Sequence, residues 1–163
     1  MVVLERGRAI AFSFDDMLRY HGGGSPGGVA HAFKVLELAL PLLEPEGEPE
    51  RREIAIRTAF GGPGACDTFE LVTRAVTDDR YVIDPGLARP ELGRASERFV
   101  FRLSYRSRVV TLAVREGFVT EEFIDLARKD PRTADDEEHL DALKQAMADL
   151  VMSSTAGEVY EVA

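Results

Sequence analysis

Two glycine-proline segments, each placed just before a helical pattern, carry the residue types that could do chemistry. The first reads Tyr20-His21-Gly22-Gly23-Gly24-Ser25-Pro26-Gly27-Gly28, and the second reads Phe60-Gly61-Gly62-Pro63-Gly64-Ala65-Cys66-Asp67. Glycine lets a backbone approach a ligand closely, and proline suits the first turn of a helix. We therefore expect the two segments to form one shared pocket, with Ser25, Gly27 and Gly64 in contact with a small ligand.

Three side chains in these segments are candidates for metal binding or catalysis. His21 can serve as a metal ligand or proton shuttle, or it can cap a helix or bond a loop carbonyl. Cys66 falls in the first turn of a predicted helix, where the helix dipole lowers the pKa of an accessible thiol; the alternative is a buried, inert thiol. Asp67 can bind a metal, act as a base or cap the helix.

Familiar glycine motifs also occur in the first segment, but their sequence context argues against each of them. The stretch from Gly22 to Gly27 matches the dinucleotide fingerprint G-x-G-x-x-G, which requires a preceding strand, whereas Ser13 to Tyr20 reads as helix. The stretch from Gly23 to Gly27 matches the nucleophile elbow G-x-S-x-G, yet Pro26 has no backbone N–H for an oxyanion hole. No phosphate-loop lysine follows the glycines.

Composition bounds the kinds of partner that the chain can have. Its 163 residues fit a single domain over 1–163, and a formal net charge of -9 argues against a general nucleic-acid binder. The one cysteine excludes an internal disulfide and a cysteine-only metal site. No signal-peptide pattern and no apolar run of about 18 residues is present, so we expect a cytoplasmic protein without a membrane partner.

Hydrophobic periodicity predicts an α+β fold, in which a buried central helix packs on a mainly antiparallel β-sheet. The central helix is Gly28 to Leu43, which is apolar on almost every face. We expect His31, within this helix, to be a hydrogen-bonded core residue. We expect His139, on a charged helix further along the chain, to be solvated. The patterns predict further helices over 14–20, 66–75, 120–129 and 133–152, and strands over 54–59, 81–83, 99–105, 109–114 and 158–162.

The chain resembles the FmdE-like family, named after a component of formylmethanofuran dehydrogenase, over nearly its whole length. The stretch from His21 to Gly27 is similar to the family's H-G-H-x-C-P-G motif, and the stretch from Gly64 to Arg74 is similar to its C-x-x-D-A-I-Q-x-x-T-G motif. The hairpin Phe99 to Val114 and the ending Leu150 to Val162 also look like the family's. Ser25, Gly64 and Gly23 stand where the family has two cysteines and a second histidine.

The resemblance implies a protein that binds a divalent metal, zinc or another, or a small ligand where the two loops meet. His21, Cys66 and Asp67 would be the metal ligands, with Ser25 beside them. A homodimer and an accessory role in one-carbon or molybdenum-tungsten oxidoreductase metabolism are also implied. Two alternatives stay open: a non-catalytic, dimeric binding or scaffold module that has lost its metal, and a thiol enzyme with Cys66 as nucleophile and His21 as base.

Overall fold

The computed structural model describes residues 1–163, and its helices and strands follow most of the predicted pattern. The helices are α1 (Phe14–His21), α2 (Pro26–Leu43), α3 (Pro63–Thr73), α4 (Glu121–Arg128), α5 (Ala134–Ser153) and α6 (Ala156–Val159). The strands are β1 (Val2–Glu5), β2 (Arg8–Ala11), β3 (Ile54–Thr58), β4 (Tyr81–Ile83), β5 (Val100–Tyr105), β6 (Arg108–Val114) and β7 (Tyr160–Val162).

Five strands form the main sheet in the order β4-β3-β5-β6-β7. The β3–β4 pair is parallel and the other three pairs are antiparallel, so the predicted mainly antiparallel sheet is confirmed. Strands β5 and β6 make the predicted hairpin, with Tyr105 opposite Arg108 at its turn. Alternate residues such as Phe101 and Leu103 are fully buried on one face, while Arg102 points away from the core.

Helix α2 is the central element of the fold, as its all-round apolar sequence predicts. It packs against β5, β6, α3 and α5, and most of its residues are buried. The helix begins at Pro26, two residues before the predicted start, because proline is already suited to the first helical position. Pro41 does not end it: the proline lies exposed in the last turn, and the helix continues to Leu43.

The hairpin formed by β1 and β2 was not predicted from the sequence. Its strands have four residues each, and most of β2 is exposed, so little hydrophobic alternation marks them. The turn is made by Arg6 and Gly7, which both have positive φ angles of 53° and 76°. Two consecutive positive φ values are typical of a tight hairpin turn, but arginine is an unusual residue at the first of these positions.

Helices α2 and α3 cross at glycines, which lets their backbones approach more closely than side chains would allow. A methyl group at Gly64 would overlap the Ser25 carbonyl oxygen and lie 2.9 Å from the Val29 amide nitrogen. A methyl group at Gly28 would lie 3.3 Å from the Ala65 amide nitrogen. The two glycine-proline segments therefore meet, and the first turns of α2 and α3 lie side by side.

His31 sits in the middle of α2 and is fully buried. Its Nδ1 atom lies 2.8 Å from the hydroxyl oxygen of Tyr160, and its ring packs near Phe99. The predicted core histidine is therefore confirmed. Burial lowers the pKa of His31 from 6.5 to about 4, because the charged imidazolium cannot be solvated there.

The close crossing predicts that Gly64→Ala destabilises the protein by about 1–3 kcal/mol, because the added methyl group meets backbone atoms that cannot move aside. The matched control is Gly61→Ala, where the nearest atom to the new methyl is the Ile83 Cδ1 at 3.9 Å. The free energy of unfolding, measured with urea, should fall for the first variant and stay within about 0.5 kcal/mol for the second. Equal stabilities would contradict the tight crossing.

The buried His31 predicts a loss of stability in acid. Folded His31 stays neutral until about pH 4, whereas an unfolded histidine is protonated below about 6.5, so unfolding takes up a proton in this window. This group should lower the free energy of unfolding by about 3 kcal/mol between pH 7 and pH 4. Urea unfolding of His31→Gln should show a flatter pH dependence than the native chain, and the exposed-histidine control His139→Gln should not.

Candidate functional site

A cavity of about 510 Å³ opens where the two glycine-proline segments meet. The first segment contributes Ser25, Gly27 and Gly28 to its lining, and the second contributes Phe60 to Gly64. The remaining lining comes from residues 94–99, from α4, from Arg132 in the segment after α4, and from α5. The pocket expected between the two segments is thus present, and Ser25, Gly27 and Gly64 all line it.

Residues at the starts of α2 and α3 that line this cavity have backbone N–H groups without a hydrogen-bond partner in the chain. Pro26 and Pro63 have no N–H, and the first N–H groups bonded in the helical manner are those of Val29 and Cys66. The N–H groups of Gly27, Gly28 and Gly64 therefore donate no hydrogen bond within the chain, although these residues are buried. A helix N-terminus also carries about half a positive charge, so the two starts together attract an anion.

The charged side chains of the lining are all basic. They are Arg94, Arg98, Arg128, Arg132 and Lys144, and the lining contains no Asp or Glu. This concentration of positive charge contrasts with the net charge of -9 for the whole chain. The cavity is therefore the part of the surface that is suited to a negatively charged ligand.

Four of these five cations have a carboxylate partner outside the lining. Arg94 pairs with Glu121 and Asp125, Arg128 lies 3.8 Å from Glu97, Arg132 lies 2.7 Å from Glu137, and Lys144 lies 3.0 Å from Asp141. Lys144 also donates a hydrogen bond of 3.1 Å to the carbonyl oxygen of Gly24. Arg98 is exposed and has neither an ion-pair partner nor a hydrogen bond from its side chain, so its charge is the one left uncompensated.

Apolar side chains form another part of the wall. Phe60 stacks on Phe99 with ring centroids 4.2 Å apart, and Phe123 and Ile124 of α4 and Leu140 and Met147 of α5 complete the surface. Apolar walls with a few convergent polar groups are typical of small-molecule sites.

His21 and Asp67 form a pair outside the cavity wall. The His21 Nδ1 atom lies 2.8 Å from the Asp67 Oδ2 atom, and the His21 side chain is only 7% exposed. Its Nε2 atom is buried without a partner in the chain and faces Gly24. Helix α1 ends directly after His21 because Gly22 adopts a positive φ of 81°, which places the imidazole at the junction with α3.

The helix-capping role that the sequence suggests for Asp67 is wrong. Helix α3 starts at Pro63 with Gly62 at its cap, three residues before the predicted start, so Asp67 lies in the second turn. Its carboxylate holds the His21 ring instead.

The lowered thiol pKa expected for Cys66 is also wrong. The residue is partly buried, and burial raises the pKa of its thiol; the nearby carboxylates of Asp67 and Glu70 raise it further. Burial and the negative neighbours thus raise the pKa, whereas the helix start was expected to lower it. No hydrogen bond joins the Cys66 thiol to His21, whose Nε2 atom has no partner in the chain.

The predicted metal ligands His21, Cys66 and Asp67 do not assemble into a metal-binding group. None of the three lines the cavity, and the structure contains no group of three or more His, Cys, Asp or Glu side chains placed to hold a metal ion. Catalytic zinc sites typically take three protein ligands and structural sites take four. His21 would offer the Nε2 atom alone, so the donor set does not fit a protein-held zinc.

The basic lining residues were not identified from the sequence. Arg94 and Arg98 come from an irregular segment, and the others come from α4, the segment after it, and α5, where scattered cations are typical of solvated surfaces. No spacing rule connects them, because only the packing of α4 and α5 against the start of α2 brings them together.

In comparisons with known proteins, no protein-family model matches the chain, and no curated protein matches it at a significant level. The FmdE-like resemblance therefore stays a prediction. None of the helices combines the length and the apolar character needed to cross a membrane.

The environment of Cys66 predicts slow alkylation at neutral pH. Because burial and two carboxylates raise its pKa, the iodoacetamide rate should increase mainly above the ordinary thiol pKa of about 8.5. Asp67→Asn removes one of the charges and should move the rate profile to lower pH, whereas Asp149→Asn on exposed α5 should not. A rate already at its plateau at pH 7 would restore the thiol-enzyme hypothesis.

Proposed function

We propose that this protein binds a small organic anion in the cavity between its two glycine-proline segments. The observation that carries the proposal is the convergence of two helix N-termini on a cavity lined by five cations, where the N–H groups of three buried glycines have no partner in the chain. Buried backbone donors need an acceptor, and anions are the acceptors that a helix N-terminus favours.

The electrostatics of the cavity support an anion rather than a neutral molecule. In a chain of net charge -9, no carboxylate is among the lining residues, and Arg98 and the two helix N-termini offer positive charge that is not paired with a carboxylate. A concave site with walls of one sign concentrates ligands of the opposite sign.

The size and the apolar wall support a ligand that is larger than a simple inorganic ion. Small-molecule sites commonly enclose about 300–1,000 Å³, and the cavity of about 510 Å³ falls within this range. Phe60 and Phe123 offer a surface for the carbon part of such a molecule.

The proposal is one of binding. The lining offers no histidine, cysteine or carboxylate to act as a base or nucleophile, and its one hydroxyl, on Ser25, has no basic partner. Of the hypotheses drawn from the sequence, the small-ligand one is therefore the one that this lining supports best. A bound metal, a homodimer and an accessory role in one-carbon or molybdenum-tungsten metabolism remain predictions from the resemblance.

Calorimetric titration with a matched ligand set tests this function. Hexyl phosphate or hexanoate should bind, and hexanol should not, since only the first two carry a charge. Arg98→Gln should weaken the binding of the anion by about tenfold or more, because it removes a charge-assisted hydrogen bond. The control Arg108→Gln, at the far end of the β5–β6 hairpin and also without an ion pair, should bind like the native chain.

Failure of both anions to bind would end the proposal, and so would equal affinity of the Arg98 variant and the native chain. Thermal unfolding of each variant without ligand is the control for folding. Arg98 is exposed and makes no hydrogen bond, so its replacement should leave the unfolding temperature unchanged.

A further inference from the structure

A groove of about 440 Å³ lies along the second half of α2. The apolar residues that α2 contributes to its lining recur at helical spacing on one stripe of the helix. They are Phe33, Leu36, Leu40 and Pro41. Met1 and Val2 line the groove from the start of the chain, and the segment 44–48 lines it from beyond the end of α2. The groove shares no lining residue with the cavity between the glycine-proline segments, so the two are independent.

The charged side chains of this lining are all acidic, whereas those of the other cavity are basic. They are Glu37, Glu44 and Glu48. Glu37 lies 2.9 Å from the amine of Lys34, and Glu44 lies 3.8 Å from Arg106. Glu48 is exposed and has no ion-pair partner, so its charge is uncompensated.

The charges next to the lining leave the groove negative. Arg106 is shared between Glu44 and Glu53, and it balances only one of them. Glu46, one residue before Gly47 in the same segment, is exposed and also has no ion-pair partner. The Met1 ammonium, which donates a hydrogen bond of 3.0 Å to a backbone carbonyl oxygen, offsets one of these carboxylates. Positive charge is therefore still needed at the rim of the groove.

The segment that carries the two free carboxylates is restrained at its far end. It reads Glu44-Pro45-Glu46-Gly47-Glu48-Pro49-Glu50, and each proline fixes the φ angle at its position. The Pro49 carbonyl oxygen accepts a hydrogen bond of 2.9 Å from the Leu4 N–H group, and the Glu50 carboxylate accepts two from the turn between β1 and β2. A rim that is already held in place loses little conformational entropy when a partner binds.

We infer that this groove docks a basic, apolar segment of another protein. An apolar side chain of the partner lies against Phe33 and Leu40, and its lysine or arginine side chains approach Glu46 and Glu48. Apolar burial supplies the affinity, and the free carboxylates select a partner of positive charge. The same carboxylates repel nucleic acids and anionic membranes, so a polypeptide is the partner that this surface fits.

Titration with a seven-residue peptide that alternates lysine with leucine, acetylated and amidated at its ends, tests this partner. The peptide should bind and should shift the backbone amide resonances of the α2 stripe. Replacing its leucines with serine keeps the charge and removes the apolar contact, so the affinity should fall about tenfold or more. Replacing its lysines with glutamate should abolish binding. If the lysine–leucine peptide does not bind, or if the serine peptide binds equally well, the inference fails.

A pair of charge reversals locates the site. Glu48→Lys should weaken the lysine–leucine peptide by about fivefold or more, because an attractive charge becomes a repulsive one. Glu116→Lys makes the same change at an exposed carboxylate that has no ion pair and lies outside the groove, so the affinity should stay within about twofold in physiological salt. Equal weakening in both variants would mean general attraction to an acidic protein and would overturn the inference.

Two further measurements complete the test. Urea unfolding of both variants is the control for folding, since each replaced side chain is exposed. Arg98→Gln, which weakens the proposed anion binding, should leave the affinity for the lysine–leucine peptide unchanged. A loss of peptide binding in this variant would place the peptide in the wrong cavity and would also overturn the inference.

Discussion

The close crossing of α2 and α3 is the constraint on which the rest of the site depends. Gly28 and Gly64 let the two backbones meet almost in contact, and this sets the two helix starts side by side. Like partial charges are then held together at one edge of the core, and the prolines at the first helical positions leave the next N–H groups as the free donors. An anion relieves this repulsion, so a packing requirement and a binding capacity arise from the same short segments.

The charged side chains near the crossing differ in sign from the net charge of the whole chain. A net charge of -9 argues against a general nucleic-acid binder, yet all charged side chains of the cavity wall are basic. The carboxylates that pair with the wall residues lie outside the lining, on α4, on α5 and next to Arg98. These pairs lie at the surface, where each contributes little stability by itself. Arg98 is the one wall cation without a carboxylate partner, while Arg94 has two.

Much of the fold could be predicted because its signals are local. The apolar sequence of α2 and the alternation in β5 and β6 identified the central helix and the sheet. The meeting of the two glycine-proline segments was also expected, and the cavity lies there. The roles of Asp67 and Cys66 depend on neighbours from another helix and on burial, which helix-start rules do not include. The basic wall could not be predicted at all, since it depends on how α4 and α5 pack.

The side chains that were predicted to be metal ligands lie outside the wall of the cavity. Asp67 of α3 holds the His21 ring, and His21 ends α1 directly before the first glycines. The loop that follows is thus attached to α3 at its beginning, and Lys144 binds the Gly24 carbonyl further along. A loop of three consecutive glycines has a high conformational entropy when free, so two such attachments are needed to keep Ser25 and the start of α2 in a fixed place. The histidine and the carboxylate therefore serve the cavity by holding its glycine loop in position.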